Sequence, residues 1–216
     1  MKTAILISGR GTNMKAIVNA ASTPQFPAHI SLVISNSPDA LGLKWAGRKG
    51  VNTKIIDHRD YSTRNAFENE LEQNLVGAEI ELVCLAGFMR LLTGEFVSRW
   101  HNRIINIHPS LLPAYKGLNT HQRVINDGVK FTGCTVHFVR PEMDKGPIIA
   151  QAVVPVLPAD TSETLASRVL IAEHKCYPFA LRLVASGKTK IADNIVLIDN
   201  STSPEVVIMN PDDNPS

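Results

Sequence analysis

Short, unbroken apolar runs alternate along the first half of this chain with stretches whose apolar residues recur every three or four positions. Thr3 to Ser8 is such a run, the mark of a strand buried on both faces of a sheet, Ile30 to Ser35 and Lys54 to Ile56 supply two more strand-like runs, and Ile80 to Ala86 is the next apolar strand. Between them Met14, Ile17, Val18 and Ala21 share one helical face. Leu41, Trp45 and Ala46 predict a second helix closing near Gly50, and Phe67, Leu71 and Leu75 a third that starts near Ser62. Strand alternating with helix predicts an α/β fold, doubly wound, with a mostly parallel sheet and right-handed crossovers.

After about residue 100 the pattern changes. Arg103 to His108 reads as a strand, and Phe131 to Val139 with Ile148 to Val156 as an antiparallel hairpin around Met143-Asp-Lys-Gly-Pro147. The sheet is therefore expected to continue as a mixed one. A long C-terminal helix follows, with Asp160 placed to cap it and Glu163 three residues on. It passes Leu165, Val169 and Ala172, is expected to kink at Pro178 and stops at Gly187. Prolines among Asn and Asp predict a flexible tail over 201–216. No repeat or linker interrupts residues 1–200, which are read as a single domain.

Composition narrows the function. The 216 residues are 44% apolar and 19% charged, which supports a sizeable core and excludes a disordered chain. Twenty-two basic against twenty acidic residues leave a formal charge of +2, without runs, so neither nucleic acid nor a membrane surface is an expected partner. Cys84, Cys134 and Cys176 are odd in number and widely spaced, which fits neither a disulfide framework nor a zinc pattern. The first apolar run is too short for a signal or membrane segment. The expectation is a soluble cytoplasmic protein with a small-molecule partner.

Two segments carry candidate chemistry. Gly9-Arg-Gly11-Thr12-Asn13 joins a buried strand to a helix start, where free backbone N–H groups and the helix dipole can hold a phosphate. It lacks both the third glycine of a dinucleotide fingerprint and the GK[ST] of a P-loop, and an ordinary glycine turn reads equally well. In Arg103-Ile-Ile-Asn-Ile-His-Pro-Ser-Leu-Leu-Pro113 the two-residue strand period turns Asn106 and His108 to one side and Ile105 and Ile107 to the other. An amide and an imidazole together at a strand end fit an oxyanion donor and an acid, or else a buried pair that bond each other. Asp144 on its glycine-containing turn could supply a carboxylate to the imidazole, or serve the turn alone. Thr135 and His137 share one face of the hairpin strand and could line the same pocket, with His137 as readily structural. His108, His121 and His137 lie on separate elements without HExxH or CxxC, so no metal is expected, and no G-x-S-x-G elbow is present.

From Lys2 to Gly187 the sequence resembles the phosphoribosylglycinamide formyltransferase family of folate-dependent enzymes. The resemblance rests on Ser8-Gly-Arg-Gly-Thr-Asn13, Leu85-Ala-Gly-Phe-Met-Arg90, Asn106-Ile-His-Pro-Ser-Leu-Leu-Pro113 and Asp144-x-Gly-Pro147. It implies formyl transfer from 10-formyltetrahydrofolate, a co-substrate, to the amine of glycinamide ribonucleotide in purine biosynthesis. By motif position it makes Asn106, His108 and Asp144 the catalytic set, and Gly11, Thr12, Asn13 and Glu173 the ribonucleotide contacts. Arg64, Met89, Arg90, Leu91, Leu92, Arg140, Pro141, Glu142 and Met143 become the folate contacts. Residues 1–100 are then a phosphate-binding half and 101–200 a folate and catalytic half. The absence of an added domain at either end argues for this acceptor. Lys145, where the family often has Gly, and Asn119, in place of a common His, depart from the pattern. Transfer to another amine, a hydrolase and a non-catalytic nucleotide-binding module remain alternatives, and a homodimer is an open option.

Overall fold

The computed structural model describes residues 1–199 and 208–210. β1 (Lys2–Ile7), β2 (His29–Ser35), β3 (Asn52–Ile55), β4 (Leu82–Leu85), β5 (Ile104–His108), β6 (Phe131–Phe138) and β7 (Ile148–Pro155) form one seven-stranded sheet in the order 3-2-1-4-5-6-7. β3, β2, β1, β4 and β5 run parallel, and β6 and β7 are added antiparallel. The expected mixed, doubly wound architecture is the one observed, and the same sheet runs across residue 100.

The side-chain period of two sorts the core into layers. Ala4 and Leu6 of β1 face Phe67, Leu71 and Leu75 of α3 (Arg64–Gly77) and Phe96 of α4 (Gly94–Arg99). Ile5 and Ile7 face the other way, toward Met14 and Ile17 of α1 (Thr12–Ala21) and Ala46 of α2 (Leu41–Arg48). Burying each such aliphatic side chain contributes roughly 1.5–3 kcal/mol. α6 (Ser162–Ala185) lies on that second face, and the buried Tyr177 hydroxyl sits 3.0 Å from the carbonyls of both Leu85 and Ile105, at the junction of β4 and β5.

Several local expectations are corrected. Thr161, not Asp160, caps α6: its hydroxyl accepts from the Thr164 N–H while the Thr164 hydroxyl accepts from its own. Asp160 instead accepts from the Leu157 N–H and the Arg168 guanidinium. Pro178, where a kink is expected, lies inside α6 with Tyr177, Ala180 and Leu181 buried around it. It stops where expected, at a left-handed Gly187. Leu41 is exposed, and Leu43 takes its place in the core.

Beyond the expected elements there are α4, α5 (Thr120–Asn126) and the hairpin of β8 (Thr189–Ala192) with β9 (Ile195–Ile198). The expected tail lies outside the described residues except for 208–210, where the Asn210 amide donates to the carbonyls of Lys130 and Val156. Among the described residues no helix is long and apolar enough to cross a membrane.

Candidate active site

β5 ends at the carboxyl edge of the parallel strands, where open α/β sheets bind their ligands. Ile105 and Ile107 face the α1 and α6 layer, which turns Asn106 and His108 to the opposite face. β6 runs beside it with Asn106 paired to His137 and His108 to Thr135. The connection from β6 to β7 doubles back over that face and delivers Asp144. Its Oδ2 lies 3.5 Å from His108 Nδ1, and its Oδ1 lies 3.9 Å from His137 Nε2. Both histidines are buried, and the Asp144 side chain is only 10% exposed.

Local chemistry explains why the connection takes this path. Asp144 itself adopts a left-handed backbone, a region that Asp tolerates better than most residues. At Gly146 a Cβ would fall 1.5 Å from the Phe138 carbonyl oxygen, so only glycine fits. Lys145 needs no positive φ, which is why a lysine is accommodated there. Asn119, the other departure, is left-handed at the start of α5, a conformation that suits its short amide.

The loop after β5 supplies backbone partners that no side-chain pattern announces. The Gly117 N–H donates to Asp144 Oδ2 at 2.9 Å, and His108 Nε2 faces the Tyr115 carbonyl at 2.9 Å. Both ring nitrogens of His108 thus point at oxygen acceptors. Thr135 serves the scaffold: its hydroxyl donates to the Ser110 carbonyl and accepts from the Leu112 N–H. His137 Nδ1 lies 2.9 Å from the Phe138 carbonyl, and its Nε2 lies 3.3 Å from the Asn106 amide nitrogen. Burial pushes the His137 pKa down, so the ring is neutral with its proton on Nδ1.

These groups open onto a cavity of about 490 Å³, a usual size for a small-molecule site. Met89, Arg90, Leu91, Leu92, Arg140, Pro141 and Met143 line it together with Asn106, His108, His137 and Asp144. His121, earlier weighed only as a metal ligand, also lines it, and its pKa is lowered by burial and by the charge of His108. Arg64 and Glu142 are exposed and do not line the cavity.

Residues 11–13 and Glu173 form a separate group at the neighbouring end of β1. The Asn13 amide donates to Glu173 Oε2 at 2.6 Å, and burial raises the Glu173 pKa against that bond. Gly11 is left-handed at the start of α1, which has no side-chain cap.

Residues 1–181 match the family described as formyl transferase. The chain belongs to the formyl transferase family. Among its relatives is a phosphoribosylglycinamide formyltransferase of Escherichia coli, 39% identical over 204 residues, which cover 94% of this chain and 96% of that protein. A trifunctional purine biosynthetic protein adenosine-3 of Gallus gallus is 50% identical over 193 residues, 89% of this chain. The chain spans only 19% of that longer relative. A crystal structure of glycinamide ribonucleotide transformylase 1 from Symbiobacterium toebii superposes with a TM-score of 0.89 at 46% identity, covering 92% of this chain and 93% of its own. The formyl transferase fold thus includes the sheet, the site face and α6.

Most of the side chains named from the sequence line the cavity, and the residues that back them were missed. Ser8 was visible only as part of a motif, yet its hydroxyl accepts from the Met89 N–H. Glu68 gave no signal beyond a charge on a helix, although it is buried and holds Thr93. A charged residue one position after the apolar Phe67, on the buried stripe of α3, was the available clue.

Proposed function

We propose that this chain transfers the formyl group of 10-formyltetrahydrofolate to the amine of 5-phosphoribosylglycinamide, in purine biosynthesis. The observation that carries the reading is the nearly buried Asp144 and His108 pair, 3.5 Å apart, beside Asn106 on the wall of a cavity of about 490 Å³. Near-full-length similarity to the E. coli phosphoribosylglycinamide formyltransferase supports the choice of acceptor. Met89, Arg90, Leu91 and Leu92, with Arg140, Pro141 and Met143, hold the folate. Gly11, Thr12 and Asn13 offer the unspent N–H groups of α1 to the phosphate, and Glu173 meets the ribose. Arg64 and Glu142, exposed and off the cavity wall, stay in this proposal as folate contacts that the resemblance implies.

The amine nitrogen attacks the formyl carbon, whose oxygen becomes an oxyanion. The bond from that carbon to the folate nitrogen then breaks, and the folate nitrogen receives the proton that the amine gives up. The oxyanion needs donors. His108 Nε2 is spent on Tyr115, but Nδ1 is 3.5 Å from the carboxylate, longer than a good hydrogen bond, which leaves its proton for the oxyanion. Asn106 gives one amide proton to His137 and keeps a second for the same oxygen. A donor of this kind is worth roughly 2.7–4 kcal/mol in acyl transfer. The Asp144 carboxylate, 3.5 Å from His108 Nδ1, lies where it can relay the amine proton.

The test is a transfer assay with glycinamide ribonucleotide, an amino sugar nucleotide and water as competing acceptors. Formylated ribonucleotide is the expected product. Formate alone would identify a hydrolase, a formylated sugar a different acceptor, and no turnover a binding module.

A further inference from the structure

Residues 88–92 have neither helix nor strand, and the side chains of Met89 and Leu91 are largely exposed. Phe88 and Leu92 pack against the core at the two ends of the segment, so the packing of Met89 and Leu91 does not set the backbone path between them. Ser8, the residue after β1, holds that path at two points. Its N–H donates to the Gly87 carbonyl at 3.1 Å, and its hydroxyl oxygen accepts from the Met89 N–H at 2.8 Å. The first bond extends the contact of β1 with β4 past the ends of both strands. The second fixes the chain just after it turns through a left-handed Gly87.

The hydroxyl is itself oriented. Its proton goes to Asn36 Oδ1 at 2.5 Å, which leaves the lone pairs of the oxygen for Met89. Asn36 is buried just beyond β2, and its carbonyl meets His58 Nδ1 at 3.0 Å. The far end of the segment is fixed independently, because the buried Glu68 accepts from both the N–H and the hydroxyl of Thr93. Gly9, the next residue after Ser8, begins the loop assigned to the ribonucleotide.

We infer that Ser8, backed by Asn36, is a positioning residue that sets the folate-binding backbone. The inference rests on the proposed reading of residues 89–92 as a folate wall. A purely structural serine would stabilise the chain without distinguishing the two substrates. A positioning serine acts on the folate side, because its side chain touches only that segment and its support. With Thr93 still anchored by Glu68, losing the hydroxyl loosens the wall and does not unfold it.

The experiment compares Ser8→Ala and Asn36→Ala with the parent by amide hydrogen exchange and steady-state kinetics. In Ser8→Ala the amides of residues 87–92 should exchange about tenfold faster while those of α1 keep their protection. The KM for 10-formyltetrahydrofolate should rise about three- to tenfold, the loss expected for one hydrogen bond, with kcat and the ribonucleotide KM within about twofold of the parent. Asn36→Ala, which keeps the oxygen but removes its anchor, should move the same quantities less. An unchanged folate KM, or an equal rise for both substrates, would overturn the inference. A parent protein that neither binds folate nor turns it over would instead overturn the proposed function. The exchange data would still report whether Ser8 holds the segment.

Discussion

His137 presents Nε2, the unprotonated nitrogen of its ring, to the Asn106 amide at 3.3 Å because its Nδ1 proton is held by the Phe138 carbonyl at 2.9 Å. The tautomer of one buried ring thus fixes which way a neighbouring amide donates. His137→Phe keeps the ring volume and removes the acceptor, leaving Asn106 free to rotate. We expect kcat to fall about tenfold with both KM values nearly unchanged, since only a donor to the developing charge is disturbed. A pure KM effect in steady-state assays would contradict this role.

Asp144→Asn keeps an acceptor for the Gly117 N–H but removes the charge beside His108. The variant should fold as the parent does and bind both substrates. Its kcat should drop at least a hundredfold, roughly the contribution of a positioned acid or base. Activity within a few fold of the parent would show that the carboxylate only shapes the turn.

Gly146→Ala tests the turn itself. Its Cβ would stand 1.5 Å from the Phe138 carbonyl, a backbone atom that cannot step aside without breaking the start of the β6 and β7 pairing. Thermal unfolding should begin at least about 5 °C lower, as for other severe steric changes in a protein of this size. Soluble variant should lose turnover as Asp144 is displaced.

Stability should also fall with acid. Burial lowers the pKa values of His121, His137 and His174 below their ordinary 6.5. For a histidine with a depressed folded pKa, the unfolded chain takes up the proton first. Each therefore contributes nothing to the pH dependence well above 6.5 and favours unfolding as pH falls from about 6.5 through the folded value. Unfolding midpoints measured from pH 7.5 to 5 should decline below about 6.5, and a flat profile would contradict the lowered pKa values of these three rings.

What was readable in advance follows the physics of each signal. Buried parallel strands announce themselves as apolar runs, so β1, β2, β4 and β5 were found within a residue or two. α4 and α5, of six and seven residues, are too short to show a helical period and passed unseen. Asn106 and His108 were placed on one face by strand alternation alone. The approach of Asp144 was not readable, because it depends on a fold-back of the connection from β6 to β7. Backbone partners such as the Tyr115 carbonyl and the Gly117 N–H leave no trace in residue identity. The Asp160 cap failed for a specific reason: Arg168, two turns along α6, pairs with that carboxylate and leaves Thr161 to do the capping.

The order of the sheet leaves β3 and β7 with one unpaired side each, and open edges are where sheets recruit further copies and aggregate. Both edges are blunted. β3 has only four residues and carries Lys54, a charge that opposes the docking of another strand. β7 ends in Pro155, which has no N–H to offer an incoming chain, and β9 lies against it. Asn210 then occupies carbonyls at the open end of the β6 and β7 hairpin. Both borders of the sheet that carries the site thus resist strand addition, so concentrated protein can keep its cavity accessible without stacking edge to edge.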